Sequence, residues 1–305
     1  MGAKGFDIKV WLEAFRLRTL PLSLSCILMG SFLAAASGHF RWDICILAVA
    51  TTILLQVLSN LANDYGDSIH GADSAERKGP SRAVQKGAIS KAQMKKAIVL
   101  FALLAFLTGF GLLFLAFRDH LINLVIFLSI GIASIFAAIN YTAGKKPYGY
   151  KGLGDLAVFV FFGIVGVGGT YFLQTAEFDF LILLPAATCG LFATGVLNIN
   201  NIRDIESDKL AGKISIPVRL GRDKAVVYHY ALLTVGYGLS VLFILFNYTH
   251  LYQWLFLVTI PMFIINARAV KNHTTASQID PFLKQLSIST LLFVIVFGVG
   301  LLLAY

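Results

Sequence analysis

Apolar stretches of about 20 residues, enough to cross a bilayer as a helix, recur from one end of this 305-residue chain to the other. They run over Thr19–Ala36, Trp42–Asn63, Gln93–Phe117, His120–Tyr141, Leu153–Gln174, Phe180–Asn200, Lys224–Phe246, Leu251–Ala269 and Lys284–Ala304. Hydrocarbon offers no partner to a backbone N–H or C=O, so each crossing must satisfy its own, and the expected class is an all-α membrane protein with nine transmembrane helices. Composition agrees: 57% of residues are hydrophobic and 13% charged, too few charges to cover a soluble domain of this size. Ahead of the first run, Phe6, Val10, Trp11, Ala14 and Phe15 share a helical stripe opposed by Lys9, Glu13 and Arg16. Residues 1–18 are therefore expected to form an interfacial helix rather than a cleavable leader.

The cations give the chain a direction. With the connections assigned alternately to the two sides, all of the 25 Lys and Arg residues except Arg41 and Arg118 fall on one side. By the positive-inside rule that side is cytoplasmic, which puts the N-terminus inside and the C-terminus outside. The net charge of +9 is thus explained by topology, and the basic-groove signature of a nucleic-acid binder is absent. Cys26, Cys45 and Cys189 stand alone in apolar segments and read as packing residues.

Two polar stretches interrupt the pattern, and they are related. Aligning Asn63 with Asn200, an offset of 137, places Asp67 on Asp204, Pro80 on Pro217 and Arg82 on Arg219. The stretches read NDYGD…GPSRAV and NNIRD…SIPVRL, and each follows a crossing that ends on the cation-rich side. The repeat unit is about four helices, an even number, so the duplication is parallel and the ninth helix stands outside it. On a helix Asn63 and Asp67 are neighbours one turn apart, and Asn200, Asp204 and Asp208 extend one face over two turns. Carboxylate and amide oxygens at helix C-terminal ends suit Mg²⁺, with water and substrate phosphate completing its shell. Arg77, Lys78, Arg82, Lys213 and Arg219 follow within a few turns, and Lys145 and Lys146 lie in the loop YTAGKKPYGYKGLGD. Acidic faces, a hard cation and a basic lid together make a site for a diphosphate.

NDYGDSIHGAD and NNIRDIESD resemble the two Asp-rich motifs of the UbiA superfamily of intramembrane aromatic prenyltransferases. With ERKGPSRAV, YTAGKKPYGYKGLGD and NNIRDIESDKLAGKISIPVRLG, the wording is nearer to the branch that prenylates 1,4-dihydroxy-2-naphthoate on the way to menaquinone. The resemblance implies one integral-membrane domain over residues 1–305. Its nine helices would surround a central cavity open to the cytoplasmic face and to lipid, with cytoplasmic loops 64–92 and 201–223 capping the site. It implies Mg²⁺ as cofactor, held by Asn63, Asp67, Asp73, Asn200, Asp204 and Asp208. Gly71 occupies the usual third position of the first motif, and the aspartate comes two residues later, at Asp73. Asn63, Asn200, Arg82, Lys145, Lys213 and Arg219 would bind diphosphate; Asp67, Asp204 and Tyr141 would be catalytic, with Tyr141 near the allylic carbon. The implied partners are a polyprenyl diphosphate, 1,4-dihydroxy-2-naphthoate and membrane lipid, and the implied location is the bacterial inner membrane.

Two other readings share some of these features. The same chemistry on 4-hydroxybenzoate or haem differs only in the acceptor pocket. A secondary transporter would also carry intramembrane carboxylates, but near the bilayer midplane rather than gathered at one face. Nine crossings with the cations inside predict that a reporter fused after Tyr305 reads as external; a cytoplasmic signal there means the count is wrong by one.

Overall fold

The computed structural model describes residues 7–70 and 82–304, and the described chain contains helices and turns but no strand. Nine segments among the described residues are long and apolar enough to cross a membrane, Leu121–Asn140 included. Helix α1 (Ile8–Phe15) is capped by Asp7, whose carboxylate accepts from the Lys9 amide at 2.9 Å. The chain then turns at Arg16, at φ 49°, and enters α2 (Leu20–Ala36). The next helices are α3 (Trp42–His70), α4 (Lys91–Phe117) and α5 (Leu121–Asn140). Ser90 and Gln93 start α4 with a reciprocal capping box, satisfying two otherwise unpaired amides.

The fifth crossing consists of α6 (Gly154–Val158), a π-helical stretch Phe159–Gly168 and α7 (Gly169–Thr175). Helix α8 (Leu183–Arg203) follows, then the short α9 (Ile205–Leu210) and α10 (Ile216–Leu220). Helix α11 (Arg222–Phe246) leads through a 3₁₀ stretch, Leu251–Thr259, into α12 (Ile260–Asn272) and α13 (Ala276–Leu302). The two acidic motifs sit at the ends of the second and sixth crossings, four apart, as the parallel repeat requires.

Two boundaries differ from the hydropathy reading. Helix α3 continues through residues 64–70, where a loop was expected, and Asp64 and Asp67 are buried there. Helix α13 begins at Ala276, eight residues before the apolar run. In both places polar residues are helical because protein groups bind them, which a hydropathy window does not register. The apolar stripe of α1 also has a protein partner: Val10, Trp11 and Phe15 pack on a core that includes Val57, Leu58, Leu61 and Met94.

The largest core joins α2, the π-helical stretch, α8 and the last three crossings. At its centre Phe192 lies edge-on to Phe293, 5.2 Å between ring centroids, and 4.7 Å from Phe263. Small residues allow the backbones to approach, as is usual where lipid gives helices no hydrophobic reason to associate. A Cβ on Gly163 would lie 2.6 Å from Ala186 O, and one on Gly30 would lie 2.5 Å from Val167 O.

The first six crossings enclose a cavity of about 640 Å³ lined mainly by apolar side chains, among them Leu55, Leu113, Phe127 and Phe162. Asn63 and Tyr141 line its motif end. Helix α5 forms one wall and has no buried residue.

The Gly30 contact is backbone against backbone, so neither side can yield. Gly30→Ala is expected to cost about 1–3 kcal/mol by overpacking, seen as a lower melting temperature in detergent. A melting temperature equal to that of the parent chain counts against this close packing.

Candidate active site

The first motif is held by an inserted loop. Gly66 faces residues 142–143 so closely that a Cβ would lie within 2.6 Å of the Ala143 amide. Thr142 Oγ1 donates to Asn63 Oδ1 at 2.8 Å and to Ala62 O at 3.1 Å, fixing the loop to α3. One turn further, the Tyr150 hydroxyl donates to Asp67 Oδ1 at 2.8 Å, and Arg82 forms an ion pair with the other carboxylate oxygen. Arg82 also donates to Asn63 O at 2.8 Å. Asp64 accepts from the Ala83 amide at 3.2 Å and so ties residue 83 to α3. His70 reaches Gly144 O at 3.0 Å.

The second motif achieves the same neutralisation by a different route. Helix α8 ends at Arg203, and Asp204 takes φ −102°, ψ 13° before α9 begins. The Asn200–Asp204–Asp208 face is therefore kinked, not one straight helix as expected, although Asp204 N→Asn200 O (3.1 Å) and Asp208 N→Asp204 O (2.8 Å) preserve the register. Arg203 grips both Asp204 oxygens at 2.8 and 2.6 Å and reaches Asn200 Oδ1 at 2.8 Å. Lys213 pairs with Asp208 at 3.1 Å. Arg219, the repeat equivalent of Arg82, donates instead to Lys151 O at 2.7 Å. The Ile214 amide donates to Tyr150 O at 2.8 Å. The loop after α5 thus ties the two motifs together.

The charges of the two motifs bear on one another. Burial pushes the Asp208 carboxyl up; Lys213 opposes this, and the charges of Asp204 and Asp67 add to it. Burial also raises the Tyr141 hydroxyl, followed in effect by Asp155, Asp208 and Asp67. The Tyr150 hydroxyl is raised by burial and by Asp67. Both hydroxyls therefore stay protonated at neutral pH. Gly149 and Gly154 confine the Tyr141 ring, since a Cβ on either would lie within 3 Å of it or its hydroxyl.

Of the residues expected at the site, Asn63, Asp67, Arg82, Tyr141, Asn200, Asp204, Asp208 and Lys213 are thus connected at one end of the bundle. Lys145 and Arg219 are exposed beside them. Asp73, Arg77 and Lys78 lie outside the described residues. Arg203, Tyr150 and Thr142 were not singled out from sequence, although Arg203 stands beside Asp204 in NNIRD and the other two lie in the glycine-rich loop. Asp155, which accepts from the Tyr228 hydroxyl at 3.0 Å, ends that loop.

Among the described residues no three His, Cys, Asp or Glu side chains are gathered closely enough to hold a metal by themselves. Three buried carboxylates with two asparagines nevertheless form a hard, all-oxygen donor set. Such a set fits a magnesium ion whose remaining ligands are water and phosphate.

Residues 23–293 match the model of the UbiA prenyltransferase family. A 1,4-dihydroxy-2-naphthoate octaprenyltransferase of Haemophilus influenzae is 46% identical over 297 residues, 97% of this chain and 96% of the relative. A UbiA homolog from Aeropyrum pernix superposes with a TM-score of 0.68 at 18% identity, covering 94% of this chain and 98% of that one. Another, from Archaeoglobus fulgidus and bound to GPP and Mg²⁺, gives 0.60 at 17% identity over 94% and 99%. The two structures share the fold.

If Tyr150 holds Asp67 in place, Tyr150→Phe should lower turnover by about tenfold, the worth of one hydrogen bond to a charged group, without loss of folded protein. Unchanged turnover would mean that the carboxylate is fixed without the Tyr150 bond.

Proposed function

Because the chain belongs to the UbiA prenyltransferase family, we propose that it transfers a polyprenyl chain from a polyprenyl diphosphate to 1,4-dihydroxy-2-naphthoate. The products are demethylmenaquinol, CO₂ and diphosphate, a step of menaquinone synthesis. One observation carries the reading: Tyr141 lines the apolar cavity while the charges of Asp155, Asp208 and Asp67 bear on its hydroxyl. It stands where a hydrocarbon tail would meet its ionic head. The named relative, nearly equal in length, supports the naphthoate acceptor, and the GPP- and Mg²⁺-bound homolog supports a divalent cation.

In this reading the prenyl tail occupies the cavity and the diphosphate lies at the motif end. Asn63, Asp67, Asn200, Asp204 and Asp208 are the residues that would hold Mg²⁺. When bound, Mg²⁺ supplies neutralisation of phosphate charge. Arg82 and Lys213 from within, and Lys145 and Arg219 from the rim, stabilise charge on the departing diphosphate. The allylic C–O bond breaks, and its electron pair leaves with that group. The Tyr141 ring offers its electron-rich face to the allylic cation. The naphthoate ring then forms the new C–C bond, and loss of its carboxylate as CO₂ returns the electron pair to the ring. No enzyme nucleophile is required. The distribution of cations supports an active site facing the cytoplasm.

The test is purified protein with farnesyl diphosphate, 1,4-dihydroxy-2-naphthoate and Mg²⁺. Prenylated naphthoquinol and diphosphate should form, EDTA should stop the reaction and Mg²⁺ should restore it. Asp67→Asn and Asp204→Asn should each cost at least about 100-fold in turnover, roughly 3 kcal/mol of lost charge stabilisation. Near-normal turnover by both folded variants, or full activity in metal-free buffer, would overturn the mechanism. Prenylation of 4-hydroxybenzoate in place of the naphthoate would overturn the acceptor.

A further inference from the structure

Asp280 lies on α13, the crossing outside the four-helix repeat, in the polar stretch ahead of its apolar run. Its Oδ1 accepts from Arg203 Nη1 at 2.5 Å, and its Oδ2 accepts from Arg18 Nη1 at 3.0 Å. Arg203 holds Asp204 with its other two nitrogens. The four side chains form one row, Arg18–Asp280–Arg203–Asp204. Exposure falls along it, from 39% for the Arg18 side chain to 22% for Asp280 and 2% for Arg203.

A guanidinium this deeply buried needs a negative partner, because an unpaired buried charge is strongly destabilising. With no second carboxylate on Arg203, Asp204 could not turn its oxygens to another cation without leaving the guanidinium unpaired. Asp280 supplies that carboxylate. Arg18 works in the opposite sense, because it draws the Asp280 carboxylate toward itself.

We propose that Asp280 is a positioning residue that governs how readily Asp204 is released from Arg203 to a divalent cation at the site. The proposal rests on Asp204 being a ligand in the reading above. With Asp280 present, Arg203 stays neutralised after Asp204 turns away. With Asp280 neutral, Arg203 keeps its hold on Asp204 and the cation must compete with it. The ninth crossing thereby takes part in the second motif although it carries no part of the repeat.

The test measures Mn²⁺ binding to the purified full chain, without substrates, by titration of the free-ion paramagnetic resonance signal; the Mg²⁺ dependence of turnover serves as second readout. Asp280→Asn should weaken Mn²⁺ binding by about tenfold, within the range of coupling between neighbouring charged groups. Asp280→Glu should recover most of it. Arg18→Ala should leave binding unchanged or tighten it by up to about threefold, because it returns Asp280 to Arg203. Glu206→Gln removes an exposed charge on α9 and should stay within about twofold, since exposed charges are well screened. If Asp280→Asn binds like the parent chain, the proposal is wrong. Equal weakening by Asp280→Asn and Arg18→Ala would make the row a structural staple and overturn it. Equal weakening by Glu206→Gln would reduce it to a general field effect and overturn it as well. A parent chain that binds no Mn²⁺ removes the metal reading too, whereas a binding parent with an indifferent Asp280→Asn removes this proposal alone.

Discussion

A carboxylate taken out of water costs several kcal/mol unless a cation and hydrogen bonds replace what it loses. That constraint organises the motif end of this bundle. Asp67, Asp204 and Asp208 are all buried, and each has its own basic partner: Arg82, Arg203 and Lys213. The loops between helices are arranged to deliver these partners. The strap after α5 brings Tyr150 to Asp67, and the stretch after α9 brings Lys213 back onto Asp208.

The duplication does not make the halves alike. Gly66 and Arg203 are equivalent by the repeat offset, and each precedes its aspartate. In the first half the absent side chain admits the Thr142 loop, and the neutralising arginine comes from Arg82. In the second half the arginine occupies the glycine's place and does the neutralising itself. Arg219 is then left free to hold a loop carbonyl. One ancestral pattern has been solved twice, with the cation supplied from opposite sides of the aspartate in sequence.

The number of crossings and the two acidic faces were readable in the sequence because both are local patterns, one of length and one of spacing. Tyr141, Asp67 and Asp204 could be placed by motif. Asp280 could not: it precedes Pro281 in a polar stretch, and its partner is 77 residues away. The π-helical course of Phe159–Gly168 also leaves no mark in a run that reads as any apolar helix, although it packs closely on α8 at Gly163 and Gly190. The extension of α3 to His70 escaped for a related reason, since hydropathy treats Asp64 and Asp67 as solvent-seeking when partners have already satisfied them.

Helix α5 buries none of its residues fully, and at its exposed positions, Leu121, Ile122, Val125 and Phe136, its sequence answers to hydrocarbon more than to neighbouring side chains. Exchanges among Leu, Ile, Val and Phe at these positions should drift freely over evolutionary time, since little in the protein would register them. That freedom stops at its last turn, where Tyr141, Thr142 and the glycines beyond are fixed by contacts on several sides. Within a few residues the chain passes from a region of high tolerance to one with almost none.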